Sequence, residues 1–107
     1  MNTPTEDLIS AMTKRIVEKF RPTKVILFGS YARGDVSRDS DVDLLVVLPT
    51  VVNKRQEAVA IRRALAGFPV SKDIIVTTPE EIERRGDLVG TVLRPALREG
   101  KVLYERT

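Results

Sequence analysis

The chain has 107 residues, 42% apolar and 31% charged, a balance that predicts one soluble globular domain spanning residues 1–107. Its net charge of +3 is too slight to mark a nucleic-acid binder. The absence of Cys and His excludes disulfides, Cys/His zinc sites, thiol nucleophiles and imidazole bases, so any catalysis falls to carboxylates, hydroxyls, Lys, Arg or an oxygen-liganded metal.

In chain order, Thr3-Pro4-Thr5-Glu6 reads as a helix start, with Thr3 as cap, Pro4 at the first helical position and Glu6 completing a capping box. Leu8, Ile9, Met12, Ile16, Val17 and Phe20 recur at helical spacing, and the helix ends near Arg21-Pro22. Lys24 to Phe28 is a short apolar, β-branched run and is expected to be a strand. A polar, turn-rich stretch follows from Ser30 to Ser40, and Asp41 to Leu48 forms a second strand, stopped by Pro49. Asn53 opens a helix with Gln56 at its third position and Ala58, Ile61 and Leu65 facing inward. Gly67 and Pro69 end it. Val70 to Thr77 is a third strand, interrupted near its start by Lys72-Asp73. Thr78-Pro79-Glu80-Glu81 repeats the capped helix start, and Gly86 stops that helix. Asp87 to Leu97 is a last helical segment that Pro95 should kink or shorten, Gly100 ends it, and Lys101 to Tyr104 forms a final strand. Strands alternating with helices predict an α/β core with a small sheet.

The longest apolar run, Leu44 to Leu48, is strand-sized, far below the roughly 20 residues of a membrane span. The N-terminal residues lack the basic and apolar regions of a signal peptide, so a cytoplasmic protein is expected.

Three carboxylates stand out. Asp41 and Asp43 are two apart in a strand, so both leave the same face, with Cα atoms roughly 6–7 Å apart. Two neighbouring anions raise each other's pKa and are costly without a cation between them. Should the third strand pair beside theirs, Asp73 completes an oxygen cage of the kind Mg²⁺ accepts while keeping positions for water and substrate phosphates. Gly29-Ser30 supplies the other half of a site. Ser30 can open a helical turn through Arg33, whose exposed N–H groups form an anion site that Gly29 lets phosphate approach closely. Arg33 adds a guanidinium fork suited to phosphate. Taken singly, Asp41 reads as a strand-start cap, Asp73 as a turn residue and Arg33 as a solvated charge. Gly-Ser, ten residues, then Asp-x-Asp arises by chance in such a chain on the order of one time in a thousand.

With Phe28-Gly29-Ser30-Tyr31-Ala32-Arg33-Gly34 followed by Ser40-Asp41-Val42-Asp43-Leu44, the sequence resembles the DNA polymerase β-like nucleotidyltransferase superfamily over nearly its whole length. Its size is similar to the minimal nucleotidyltransferases, which consist of a palm-like catalytic core with a small mixed sheet flanked by helices. Many of those are antitoxins encoded beside a HEPN toxin, and some transfer AMP from ATP to a tyrosine of that toxin. The resemblance implies that Gly29 and Ser30 hold the β- and γ-phosphates and that Asp41 and Asp43 bridge two Mg²⁺ ions. It implies that Asp73 binds the catalytic metal and orients or deprotonates the incoming hydroxyl, and that Arg33 contacts the triphosphate. ATP would be the substrate and a HEPN-family protein the partner.

The chain has little material for binding an acceptor, so a partner subunit or self-association is expected to supply that wall. Val89, Val92, Leu93 and Leu97 are candidates for the contact, or equally for core packing. Two other functions stay open: an antitoxin that neutralises by binding alone, and nucleotidyl transfer to a small molecule. DNA polymerisation is disfavoured, because no helix-hairpin-helix or extended basic groove is visible.

Overall fold

The computed structural model describes residues 4–34, 41–85 and 93–106. In chain order the elements are α1 (Pro4–Phe20), β1 (Lys24–Phe28), α2 (Ser30–Arg33), β2 (Val42–Val47), α3 (Lys54–Ala64), β3 (Lys72–Thr77), α4 (Pro79–Arg85), α5 (Leu93–Glu99) and β4 (Lys101–Glu105). The strands form one mixed sheet in the order β3-β2-β1-β4. β1 is antiparallel to both β2 and β4, while β2 and β3 are parallel. Parallel pairing requires a crossover, and α3 provides it. This is the small sheet flanked by helices that the alternation of elements predicts.

Both faces of the sheet are covered. One carries the larger core, in which Ile9, Met12 and Ile16 of α1 and Ile61 of α3 pack on Val25, Leu27, Leu44, Val46, Ile74 and Val76. The other carries Ile26, Leu45, Val47 and Ala96, with Phe28, Ile75, Ile82 and Leu97 against them. β2 therefore reads as a continuous apolar run after Asp43, as a strand buried on both faces must.

Local chemistry sets the element ends. Asn53 caps α3, its side chain accepting from the Gln56 N–H at 3.1 Å. The hydroxyl of Thr78 likewise accepts from the Glu81 N–H at 3.1 Å. The expected cap at Thr3 and the stop at Gly86 lie outside the described residues.

One expectation changes. Lys72 and Asp73 do not interrupt the third strand; they begin it, because the parallel ladder to β2 starts at the pair Val42 and Lys72. The last helix is described only from Leu93, which puts Pro95 third in α5. The described helix runs from there to Glu99, and the stretch from Asp87, where the expected kink or shortening falls, lies outside the described residues. Leu97 packs on the second core cluster, which is the core reading of that residue. Val89, Val92 and the side chain of Leu93 lie outside the described residues. No described helix is long and apolar enough to cross a membrane.

Candidate active site

The site assembles where the C-terminal end of β1 meets the start of β2. Their register places Phe28 opposite Asp43, so Gly29 follows directly beside that carboxylate. Gly29 has φ 73° and ψ −151°, a region essentially restricted to glycine. A Cβ built on it would lie 2.2 Å from Oδ2 of Asp43. Both the backbone conformation and the space thus require glycine here. The chain then turns into α2, with the N–H groups of Ala32 and Arg33 donating to the Gly29 carbonyl at 3.1 Å. Those bonds leave the preceding N–H groups of Ser30 and Tyr31 outside the turn's own hydrogen bonding. Gly34, at φ 83°, closes the turn in the left-handed conformation and donates to the Ser30 carbonyl.

Parallel pairing sets Asp73 of β3 in register with Asp43 of β2. This meets the condition on which a third carboxylate depended. By strand alternation Asp41, Asp43 and Asp73 share the face that carries Leu45 and Ile75. Asp43 is partly buried, whereas Asp41 and Asp73 are exposed. Burial, then the charge of Asp73, then that of Asp41 push the Asp43 carboxyl above its usual range, while the Arg33 guanidinium pulls it down. The register and this mutual influence bring the three acids into one neighbourhood. Even so, among the described residues no three acidic side chains converge closely enough to cage an ion as they stand.

Two features escaped the sequence reading. Arg33, expected to face phosphate, also acts electrostatically on Asp43. Arg62 of α3 places Nη2 3.5 Å from Oδ1 of Asp73 and 3.5 Å from the Lys72 carbonyl. Nothing in the local sequence distinguishes Arg62 from its neighbour Arg63, because only the packing of α3 along the edge strand brings it to β3. A groove of about 930 Å³ lies between α1 and β4, lined by Ile9, Val17, Leu27, Leu103 and Tyr104, and reaches α2 at Tyr31 and Gly34. None of the three carboxylates lines it.

A turn of unconsumed N–H groups beside a glycine without room for a side chain, next to clustered hard-oxygen donors, is what a metal-bound polyphosphate requires. The nucleotidyltransferase domain family matches residues 9–103. The chain belongs to this family and is a nucleotidyltransferase.

Among its relatives, a Methanocaldococcus jannaschii protein provisionally named a protein adenylyltransferase is 33% identical over 101 residues, covering 92% of this chain and 97% of the relative. The protein adenylyltransferase MntA of Thermococcus cleftensis is 44% identical over 41 residues, or 38% of this chain and 41% of that one. The fold is similar to a Sulfolobus solfataricus protein provisionally described as a nucleotidyltransferase, with TM-score 0.65 and 23% identity over 94% of this chain and 79% of that one. It is also similar to a chain of a toxin–antitoxin structure with AMP-PNP, with TM-score 0.57 and 19% identity, covering 91% of this chain and 73% of that chain. The nucleotidyltransferase has the α/β fold with a mixed four-stranded sheet that the resemblance implied.

Proposed function

We propose that this nucleotidyltransferase moves AMP from ATP to a hydroxyl of a partner protein, most fittingly a tyrosine of a HEPN-family toxin, and so acts as its antitoxin. The observation that carries the reading is Gly29, held by its backbone and by the absence of a Cβ against Asp43, at the junction of a phosphate-type turn and the carboxylates. The relatives named as protein adenylyltransferases and the toxin–antitoxin neighbour support the choice of a protein acceptor.

In this reading Gly29 and Ser30 bind the terminal phosphates through backbone N–H groups and the Ser30 hydroxyl, and Arg33 adds charge beside them. Asp41 and Asp43 would hold two Mg²⁺ ions, with Asp73 contributing a further carboxylate to one of them. Such ions, when bound, stabilise the attacking and leaving oxygens of an in-line displacement at phosphorus. The protein's own contribution is to position the α-phosphate and to accept the acceptor hydroxyl's proton at Asp73. The acceptor O–P bond forms, the bond to the bridging oxygen breaks, and pyrophosphate leaves. The acceptor itself comes from the partner, in a complex with this chain.

The test combines the protein, Mg-ATP and a HEPN-family protein of the same genome under conditions where the two associate. Intact mass spectrometry should show an AMP-sized gain on the HEPN protein, abolished by Asp43→Asn. A complex that forms without any gain in mass overturns the reading. If Asp43→Asn protects cells from the toxin as well as the unmodified protein does, neutralisation is by binding alone.

A further inference from the structure

Arg62 lies beside the carboxylates without belonging to the phosphate turn. The last turn of α3 runs along β3, an edge strand hydrogen-bonded to β2 alone. From there the Arg62 guanidinium meets the Lys72 carbonyl and Oδ1 of Asp73, each at 3.5 Å. Both side chains of the pair are more than half exposed, at 59% and 53%. The carboxylate neighbourhood thus has two guanidinium neighbours from different elements: Arg33 of α2, which bears on Asp43, and Arg62 of α3, which bears on Asp73.

We infer that Arg62 is an electrostatic latch, engaging Asp73 when no divalent cation is bound and giving way when one is. The inference rests on Asp73 being a metal ligand, as in the function proposed above. A guanidinium stays charged at any pH the fold survives, so it cannot yield by losing a proton. It and a divalent cation are drawn to the same carboxylate and repel each other, so the arrival of the ion disfavours the pair. An exposed ion pair of this kind is weak, so a side-chain rotation suffices to open it. Arg62 is therefore a positioning residue: it reduces the repulsion among the acids before loading and sets a threshold for metal uptake.

The experiment titrates Mn²⁺ into nucleotide-free protein and reads free Mn²⁺ by electron paramagnetic resonance. Arg62→Gln and Arg62→Met should each bind Mn²⁺ about two- to five-fold more tightly than the unmodified protein, the range expected from an exposed ion pair. The gap should narrow with added KCl. Arg62→Lys, which keeps the charge, should stay near the unmodified value. In an Asp73→Asn background, Arg62→Gln should change nothing. Equal or weaker Mn²⁺ binding by Arg62→Gln and Arg62→Met overturns the latch while leaving the metal site standing. No uptake by any of the proteins removes the metal reading and the latch together.

Discussion

Asp43 is where the conflict between folding and function is sharpest. Its carboxyl is pushed upward by burial and by two neighbouring acids, so its ionised form is less at ease in the fold than in the unfolded chain. A folded-state pKa above the unfolded value contributes most favourably below the ordinary carboxylate range, and that contribution is lost as pH rises through the raised value. In chelator-treated protein, Asp43→Asn should therefore be as stable as the unmodified chain, or more so, at pH 7. The difference should vanish on acidification below the ordinary carboxylate range. Urea titrations at several pH values check this, and the same variant should lose nucleotidyl transfer. At Gly29 the expectation is opposite in sign for stability. Gly29→Ala adds a Cβ 2.2 Å from Oδ2 of Asp43 in a backbone region costly to any L-residue. It should destabilise by about 1–3 kcal/mol and impair nucleotide binding, read by urea melts and by calorimetric titration with a non-hydrolysable ATP analogue.

Polar links join the elements to one another. Thr77, fully buried at the end of β3, donates its hydroxyl to Oε1 of Glu81 at 2.7 Å, and Lys54 at the start of α3 pairs with the same carboxylate at 2.5 Å. Glu81→Ala should cost about 1–3 kcal/mol, because the Thr77 hydroxyl loses its partner while buried. Adding Thr77→Val should recover part of that loss in thermal melts. A second link closes α1 onto the sheet. Arg21 has φ 51°, a left-handed conformation unusual for a side-chain-bearing residue, and follows directly on the helix end. Its carbonyl and that of Pro22 accept from the Arg106 guanidinium, while the Arg106 N–H donates to the Thr23 carbonyl at 2.8 Å. The helix end near Arg21-Pro22 was legible because proline disfavours helix in the residue before it. The clamp from Arg106 was not, since it joins residues 85 apart.

Across the whole molecule, β2 is the shared wall. Leu44 and Val46 enter one core cluster, and Leu45 and Val47 enter the other. Leu44→Ala and Leu45→Ala empty opposite faces, yet each should cost about 2–5 kcal/mol, because both sites are fully buried. Chemical denaturation should show a single cooperative transition for both variants, with lowered midpoints. Two resolved transitions in place of one would mean that the two faces unfold separately. The glycine at the α5–β4 junction belongs to this scale too. A Cβ on Gly100 would meet the Ala96 carbonyl at 2.3 Å and Ile26 Cγ2 at 2.4 Å, so it lets the last helix cross closely over β1.

The sequence by itself determined α1 and α3 through their 3.6-residue apolar spacing, the strands through short β-branched runs, and the caps at Asn53 and Thr78 through residues that bond their own local backbone. It also determined the chemistry available, since a chain without Cys or His has only carboxylates, hydroxyls and cations to work with. The Gly29-Ser30 turn and the Asp41/Asp43 pair were legible because their geometry is set within a few residues. The tertiary structure decided what depends on pairing between distant segments. It set the register that brings Asp73 level with Asp43, the approach of Asp43 to Gly29, and the reach of Arg62 around the sheet edge to Asp73. The physical reason is range: capping and periodicity act over a few residues, whereas strand register and charge pairing act through space between residues that the chain holds far apart.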